Sequence, residues 1–296
     1  MTNKKHYAAG VVAFVIWGFF PIPLRALQSY SAGDILYFRI LFSLLAIAFV
    51  IALFKKKDLR IGWTHLNTLP RHDRRRVLWL TLAGGALLTI NWLSFIYVVN
   101  SINVRTASFT YLICPVITAI LGYVLINEKM TALQWIAVTL CGISCIMMGI
   151  SSRTELGYSV FTAFTYALYL ITQRKNQGFD RLVVLGIQVL ISFVILTIFL
   201  SALVKQVPDA WPFYSNIVLI AVLFTVIPLF LNLFALNRIN SATIGILMYL
   251  NPLINFTLAF VLFKESVSAL QITGYSIIAV ALLIFNLDNF RRISSI

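Results

Sequence analysis

The sequence predicts an all-α membrane protein with ten transmembrane helices, arranged as two inverted five-helix repeats with both termini in the cytoplasm. First, 60% of the 296 residues are hydrophobic and 11% are charged, whereas soluble chains are about 45–50% apolar and about 25% charged. Second, the apolar residues form long continuous runs rather than the alternating ~10-residue segments of a membrane β-barrel. Third, the two halves of the chain align with each other at a fixed separation.

Ten apolar runs have the length that a membrane-spanning helix needs. A helix rises 1.5 Å per residue, so about 20 residues cross a hydrocarbon core of ~30 Å. The sixth run is the least apolar, because hydroxyl side chains interrupt it. The first is too long for the core of a signal peptide, so we interpret it as a retained span. The runs cover residues 7–28, 33–54, 77–99, 105–126, 131–150, 157–173, 182–204, 215–236, 241–263 and 269–287.

The positions of the basic residues predict the orientation. With the N-terminus inside, the segments predicted to be cytoplasmic hold 17 of the 23 Lys and Arg residues, and the outer segments hold 4. An excess of Lys and Arg in cytoplasmic loops is the usual topology signal. It also accounts for the formal net charge of +14, so we expect a lipid bilayer and no nucleic acid as partner. The basic loop 55–76 is either a solvated topology signal, which we favour, or a contact with anionic lipid headgroups.

An internal repeat relates the two halves of the chain. A shift of 137 residues aligns them without a gap, and 13 of the 35 residues from 100 to 134 are identical to their counterparts. Shared apolar composition does not explain the matched polar and proline positions. These include Pro115 with Pro252 and Glu128 with Glu265.

The repeat predicts two domains, residues 7–150 and 157–287, each with five spans. Because five is an odd number, the second copy enters the membrane from the opposite side. Inverted repeats are typical of transporters in which two similar halves close one face and open the other around a midplane site. A passive channel could have the same symmetry and stays open as an alternative.

Four stretches of the sequence carry a family resemblance. They are Ile16-Trp17-Gly18-Phe19-Phe20-Pro21, Phe38-Arg39-Ile40-Leu41-Phe42-Ser43, Asn91-Trp92-Leu93-Ser94-Phe95, and the run from Ala107 through Glu128 to Val138. The first resembles the first-span motif of the drug/metabolite transporter superfamily, in its EamA family, and the other three resemble its RarD-type subgroup. The resemblance implies two EamA repeats of five helices, a bacterial inner-membrane location, and export or exchange of a small-molecule metabolite.

Prolines mark candidate hinges within the spans. Pro115 and Pro252 each lie near the centre of a predicted helix, where proline removes a backbone hydrogen bond and frees a carbonyl at bilayer depth. The same depth in both repeats favours a hinge or a broken helix beside the substrate path over a static kink. Pro21 and Pro23 predict a bent or loosened end of the first span, which could form an outer gate.

Polar and aromatic side chains at span midpoints are the candidate substrate contacts. In the sixth span they recur at steps of three and four, which places most of them on one side of the helix. The alternative role for each is hydrogen bonding between helices, which contributes little per pair in membranes. The candidates are Trp17, Asn91, Trp92, Tyr111, Thr162, Tyr166, Tyr169, Asn232, Tyr249 and Asn251.

Arg39 is the most informative charge, because it lies about six residues, or ~9 Å, below the outer end of the second span. A charge at a helix centre costs roughly 2.5–3.5 kcal/mol on insertion scales. Arg39 is either a structural residue that braces the bundle, with Asp34 as a possible partner, or a counter-charge for a substrate carboxylate. The first role is slightly favoured.

No Asp or Glu lies in the middle of a predicted span, so a bulky cation is disfavoured and a neutral or zwitterionic metabolite, such as an amino acid, fits better. Glu128 and Glu265 lie at helix ends, where helix-end electrostatics is the favoured role. No catalytic, metal-binding or cofactor-binding motif is visible, so we predict no enzyme activity, no metal and no cofactor. The cysteines are expected to be small packing residues.

The prediction is therefore a permease with a central cavity lined by the first, third, fourth, sixth, eighth and ninth spans. The fifth and tenth spans should be peripheral, and Gly142 and Gly149 could pack them closely. Two alternatives remain: a passive channel for small solutes, and a membrane resistance or scaffold protein that transports nothing. The sequence does not determine the oligomeric state.

Overall fold

The computed structural model describes residues 2–102, 104–148, 153–204, 207–262, 264 and 268–294, and within these ranges all regular structure is helical. The first half of the chain forms seven helices in the described ranges. They are α1 (Thr2–Gly18), α2 (Pro21–Arg25), α3 (Ala32–Phe54), α4 (Lys56–Thr68), α5 (Arg71–Ser101), α6 (Val104–Ile126) and α7 (Ala132–Met148).

The second half forms eight α-helices and one π-helical turn in the described residues. The turn, Val222–Val226, joins two helices end to end. In chain order the elements are α8 (Arg153–Lys175), α9 (Arg181–Ile198), α10 (Leu200–Leu203), α11 (Trp211–Ala221), the π-helical turn, α12 (Ile227–Ala235), α13 (Ser241–Leu247), α14 (Leu250–Val261) and α15 (Ala269–Ser294).

The protein is an integral membrane protein, because eight helical stretches of the described residues are long and apolar enough to cross a bilayer. They are Lys4–Arg25, Ala32–Phe54, Arg71–Val98, Phe109–Ile126, Arg181–Ile198, Trp211–Ala235, Ser241–Leu258 and Ala269–Leu287. Two more of the predicted spans are helical. Helix α7 is apolar but has 17 residues, and α8 is not among the eight stretches that are long and apolar enough. The count of ten spans therefore stays a prediction.

The basic loop 55–76 contains an amphipathic helix that the apolar runs did not reveal. Helix α4 has no buried residue, and its Trp63 is 64% exposed. The following helix, α5, begins at Arg71, six residues before the third predicted span. Polar residues dominate both stretches, so hydropathy alone gave no signal for a helix there.

The helices pair across the two halves of the chain. Helix α3 packs on α9, α5 packs on α8, α1 packs on α12, and α6 packs on both α8 and α13. Helix α7 packs mainly on α15 and is joined to the rest of the bundle through α6. The described parts of the fifth and tenth predicted spans therefore form a pair of their own.

Close packing between α7 and α15 is not due to Gly142, as the sequence suggested. A Cβ atom built on Gly142 meets no atom within 4 Å, so that expectation is wrong. Gly274 makes the close contact instead, because a Cβ there would lie 2.6 Å from Cγ of Met148. Gly149 lies outside the described residues.

All three cysteines lie inside the helix bundle as free thiols. Cys114, Cys141 and Cys145 are each at most 5% exposed, and all belong to the apolar cores that hold the helices together.

Candidate functional site

Five side chains from five helices meet in the interior of the bundle, and we call them the central polar cluster: Arg39, Trp92, Tyr111, Tyr166 and Asn232. The Arg39 guanidinium lies over the Trp92 ring, 5.4 Å from its centroid, and it interacts electrostatically with Tyr111. The Asn232 amide donates a 3.4 Å hydrogen bond to the Tyr166 hydroxyl. Tyr166 also interacts electrostatically with Tyr111, so the cluster joins α3, α5, α6, α8 and α12.

The side chains of the cluster differ in exposure. Asn232 is fully buried, but Arg39, Trp92, Tyr111 and Tyr166 each keep part of their surface accessible. A ring with an accessible face and a polar tip can provide both apolar contact and a hydrogen bond to a ligand. The cluster thus has the mixed character of a small-molecule site.

Asp34 does not pair with Arg39, and that expectation is wrong. The Asp34 carboxylate accepts hydrogen bonds from the hydroxyl of Ser31 at 2.6 Å and from its backbone N–H at 3.3 Å. The backbone N–H of Asp34 donates in return to the Ser31 hydroxyl. This reciprocal capping box fixes the start of α3 and occupies one carboxylate oxygen, while the buried Oδ1 has no hydrogen-bond partner within the described residues.

Asn91 ties α5 to α8 beside the cluster. Its amide nitrogen donates to the backbone carbonyl of Thr162 at 2.8 Å and to the hydroxyl of Thr165 at 3.3 Å. Thr162 is 1% exposed. The Asn91 side chain therefore joins two helices in this structure, which is the alternative role that the sequence left open. Thr162 contributes only its backbone carbonyl, and its buried hydroxyl has no hydrogen-bond partner within the described residues.

Tyr169 lies next to the cluster but is fully buried. Its ring is 5.7 Å from that of Tyr166, and its hydroxyl makes no hydrogen bond within the described part of the chain. Asn232 likewise has a buried side-chain oxygen without a hydrogen-bond partner there. Tyr169 also interacts electrostatically with Arg181 at the start of α9.

Trp17 uses its polar atom on the backbone of another helix. The indole Nε1 donates a 2.9 Å hydrogen bond to the Phe224 carbonyl, which lies in the π-helical turn. Pro228 stands four residues after Phe224 and has no N–H to bond that carbonyl. The sequence analysis did not predict this hydrogen bond, although Pro228 inside the eighth predicted span indicated that one backbone carbonyl would lack its usual helical donor.

The structure does not bring Tyr249 and Asn251 into the cluster. Tyr249 is fully buried against α6, and its hydroxyl donates to the Leu112 carbonyl at 2.8 Å. Asn251 accepts a 2.8 Å hydrogen bond from the side chain of Asn255, one turn further along α14. Helix α14 packs against α1.

The prolines have unequal effects on the helices. The first helix ends at Gly18 and α2 begins at Pro21, as the prolines predict. The helix that contains Pro252 is interrupted between Leu247 and Leu250, whereas α6 continues past Pro115 without a break. Their role as hinges stays a prediction.

At the end predicted to face the cytoplasm, Glu128 closes the gap between α6 and α13. Its carboxylate accepts hydrogen bonds from the backbone N–H and hydroxyl of Ser241, at 2.8 and 2.7 Å, and from the N–H of Ala242 at 3.1 Å. Arg174 pairs with the same carboxylate at 3.6 Å. Glu128 therefore serves helix-end electrostatics in the opposite half of the chain. Its counterpart Glu265 lies outside the described residues.

A second network at this end was missed by sequence reasoning. Arg181 is 3% exposed, and its guanidinium donates to the side chain of Asn237 at 2.6 Å and to the carbonyl of Asn176 at 2.7 Å. Nearby, Lys55 donates to Asp180 at 2.8 Å. This hydrogen bond is the largest of the causes that raise the pKa of Lys55.

Comparison with known families identifies the chain. The model of the EamA-like transporter family matches it twice, at residues 4–150 and 154–287. The chain belongs to the EamA-like transporter family. The central polar cluster of this EamA-like transporter therefore lies inside a membrane transporter of the drug/metabolite family.

Curated relatives cover nearly the whole length of this EamA-like transporter. It is 28% identical to an uncharacterized transporter, YojE, of Bacillus subtilis, over 98% of this chain and 96% of that protein. It is also 28% identical to the uncharacterized transporter PA0485 of Pseudomonas aeruginosa, with the same coverage. Protein RarD of Escherichia coli is 26% identical over 97% of this chain and 95% of its own length.

A solved crystal structure has the same fold as this EamA-like transporter. The two superpose with a TM-score of 0.72 at 13% identity, over 97% of this chain and 98% of the other.

Proposed function

We propose that this protein is a secondary transporter that moves a small neutral or zwitterionic metabolite, such as an amino acid, across the bacterial inner membrane by alternating access. Net movement is export or exchange. The central polar cluster carries this proposal, because five helices from both halves of the chain contribute one side chain each. A site shared between two halves changes its access when the halves move relative to each other.

Backbone geometry supports two related repeats. Among the described residues, the non-glycine positions with positive φ are Asn127 at 53° and Lys264 at 52°. They are 137 residues apart, which is the separation that aligns the halves in the sequence. Positive φ is uncommon outside glycine, so its recurrence at paired positions supports the same local fold in both copies.

Helix pairing supports a twofold relation between the halves as well. Exchanging the halves turns the contact of α1 with α12 into the contact of α8 with α5, and both contacts are present. The contacts of α3 with α9, α6 with α13 and α7 with α15 each map onto themselves. Such pairing is expected when two copies are related by a twofold axis. The odd number of predicted spans in each copy places this axis in the membrane plane in our proposal.

The chemistry of the cluster supports a neutral or zwitterionic substrate. Its polar groups are a guanidinium, an indole N–H, two phenol hydroxyls and an amide, with aromatic rings from α5, α6 and α8. A permanent cation would meet Arg39 without a balancing carboxylate, because no member of the cluster is acidic. Hydrogen-bond donors and accessible rings suit a small polar molecule with an apolar body.

The network around Glu128 supports closure at the predicted cytoplasmic end. Glu128 and Arg174 join the ends of α6 and α8 to the start of α13, and Arg174 also donates to the Leu236 carbonyl at the end of α12 at 2.6 Å. Four helices from both halves are thus joined at one end. Alternating access requires that these bonds break when the cluster opens to the cytoplasm.

Exchange in proteoliposomes tests the proposal. Vesicles that contain the purified protein are loaded with a mixture of the twenty amino acids, and uptake of each labelled amino acid is measured. We expect saturable uptake that loading accelerates for at least one of them. Uptake that neither saturates nor responds to loading would indicate a passive channel. No flux for any member of the mixture would contradict transport of this substrate class.

A further inference from the structure

Arg39 has an unusual environment for a charge inside a helix bundle. Within the described residues, no carboxylate lies within salt-bridge distance of its guanidinium, and its buried Nε atom has no hydrogen-bond partner. Among the described residues, its side chain contacts the Trp92 ring and interacts electrostatically with Tyr111. An arginine inside a membrane protein normally pairs with an acid or a carbonyl. Arg39 therefore lacks the partner that would offset its burial.

The groups around Arg39 leave its donors available. An aromatic face attracts the guanidinium without using its N–H donors, so the fork can still bind a planar anion. The Tyr111 side chain beside it is also partly accessible. Its hydroxyl could donate one more hydrogen bond to the same anion. These features are those of a carboxylate-binding site.

We propose that Arg39 binds the carboxylate of the transported substrate, with Trp92 holding the guanidinium in place and Tyr111 donating to the same group. The inference rests on the proposed function and narrows it, because it excludes substrates without an anionic group. The rings of Tyr166 and Trp92 would contact the apolar body of the substrate. The bound carboxylate supplies the partner that Arg39 lacks in the protein.

Thermal-shift measurements on the purified protein test the ligand side of the proposal. The probes are the twenty amino acids and, for each, the amide in which the α-carboxylate is replaced. A ligand that binds the folded state raises the melting temperature. We expect at least one amino acid to stabilise the protein and its amide to bind about ten- to a hundredfold more weakly. Equal stabilisation by acid and amide, or none by any acid, would overturn the proposal.

Substitutions at Arg39 test the protein side. Arg39→Gln should remove the stabilisation by the acid, and Arg39→Lys should restore part of it, because lysine keeps the charge but not the planar fork. Arg238, which is exposed, provides the matched control Arg238→Gln, which should bind like the wild type. Full binding by Arg39→Gln would overturn the proposal.

The melting temperature without ligand separates this role from a structural one. If Arg39 braces the bundle, Arg39→Gln should melt at a lower temperature than the wild type. If Arg39 is unpaired until a substrate anion binds, Arg39→Gln removes an unpaired charge, and the melting temperature without ligand should stay equal or rise. A large drop together with unchanged acid binding would overturn the proposal.

Exchange of labelled amides distinguishes the two proposals. If amides or other solutes without a carboxylate exchange as fast as the acids, the transporter proposal stands and the Arg39 proposal fails. If no solute exchanges but acids still bind at Arg39, the Arg39 proposal stands as a binding site and the transporter proposal fails.

Discussion

The hydroxyl of Tyr249 donates a 2.8 Å hydrogen bond to the backbone carbonyl of Leu112, and the two residues are 137 positions apart. This is the separation that aligns the two halves, so each residue is the counterpart of the other. In the arrangement of two repeats that we propose, counterparts touch only if both lie near the axis that relates the copies. This proposal places the bond at the centre of the contact between α6 and the interrupted helix of α13 and α14.

Tyr249→Phe should lower stability and leave transport nearly unchanged. The substitution keeps the ring but leaves the Leu112 carbonyl without its partner, a loss of about 0.6–1.7 kcal/mol for bonds between membrane helices. The melting temperature and the exchange rate provide the two measurements. Tyr123→Phe, at a side chain that is 49% exposed, is the control. Normal stability with lost exchange would instead make Tyr249 a substrate contact, as the sequence suggested.

Tyr166→Ala should reduce exchange by at least about tenfold while the folded protein accumulates normally. The substitution removes one of the three aromatic rings of the central polar cluster, together with the hydroxyl that accepts a hydrogen bond from Asn232. Tyr97, whose side chain is 49% exposed, provides the control Tyr97→Ala. Asn251→Ala, outside the cluster, should reduce exchange less. Equal exchange by Tyr166→Ala and wild type would contradict the placement of the site.

Trp17→Phe should destabilise the protein because the Phe224 carbonyl loses its donor. An unsatisfied buried carbonyl costs about 1–3 kcal/mol. In a Pro228→Ala background, residue 228 regains an N–H that can bond this carbonyl, so Trp17→Phe should cost less there. A double-mutant cycle of melting temperatures measures this coupling. Additive effects would show that Trp17 does not compensate for the proline.

Glu128→Gln should open the start of α13. The amides of Ser241 and Ala242 donate to the Glu128 carboxylate, and charge-assisted bonds are roughly twice as strong as neutral ones. Hydrogen exchange at these two amides should accelerate by about tenfold or more. Asp73→Asn, at a side chain that is 50% exposed, is the control. Unchanged hydrogen exchange at these two amides in Glu128→Gln would contradict a closing role for the carboxylate.

Lys55 should stabilise the protein up to strongly alkaline pH. Its hydrogen bond to Asp180 raises the pKa of the amine, so the contribution is complete below the ordinary lysine pKa of about 10.4 and is lost as pH rises through the raised value. Because the pair is partly exposed, the contribution is about 0.2–1 kcal/mol.

Melting temperatures of wild type and Lys55→Gln between pH 6 and 11 check this prediction. The difference between the two proteins should be constant to about pH 10 and should decrease only above about pH 10.4, as pH rises through the raised pKa of Lys55. Lys56→Gln provides the matched control. A difference that disappears near neutral pH would show that another group is responsible.

The sequence predicted the class of the fold and most helices because each membrane-spanning helix is a long continuous run of apolar residues. The breaks near Pro21 and Pro252 were predictable because proline cannot donate to the helix. Helix α4 was not, since a short polar amphipathic helix has little net hydropathy. The cap on α3 could have been predicted, because Ser31 and Asp34 have the spacing of a capping box.

The candidate site was predictable in composition but not in arrangement. Trp92, Tyr111 and Asn232 were predicted from their depth in a span, and Tyr166 from the polar stripe of the sixth span. The sequence could not show that the Tyr249 hydroxyl donates a hydrogen bond to the Leu112 backbone carbonyl, because that depends on which helix lies opposite. For the same reason it placed Arg39 next to Asp34 on its own helix rather than against Trp92.

The burial of all three native thiols has a practical consequence. Cys114, Cys141 and Cys145 are at most 5% exposed, and water-soluble maleimides react only with accessible thiolates. A single cysteine engineered on either rim can therefore be labelled selectively in the otherwise native chain, without first building a cysteine-free background. The molecule is ready for fluorescence or spin-probe distance experiments that follow its motion directly.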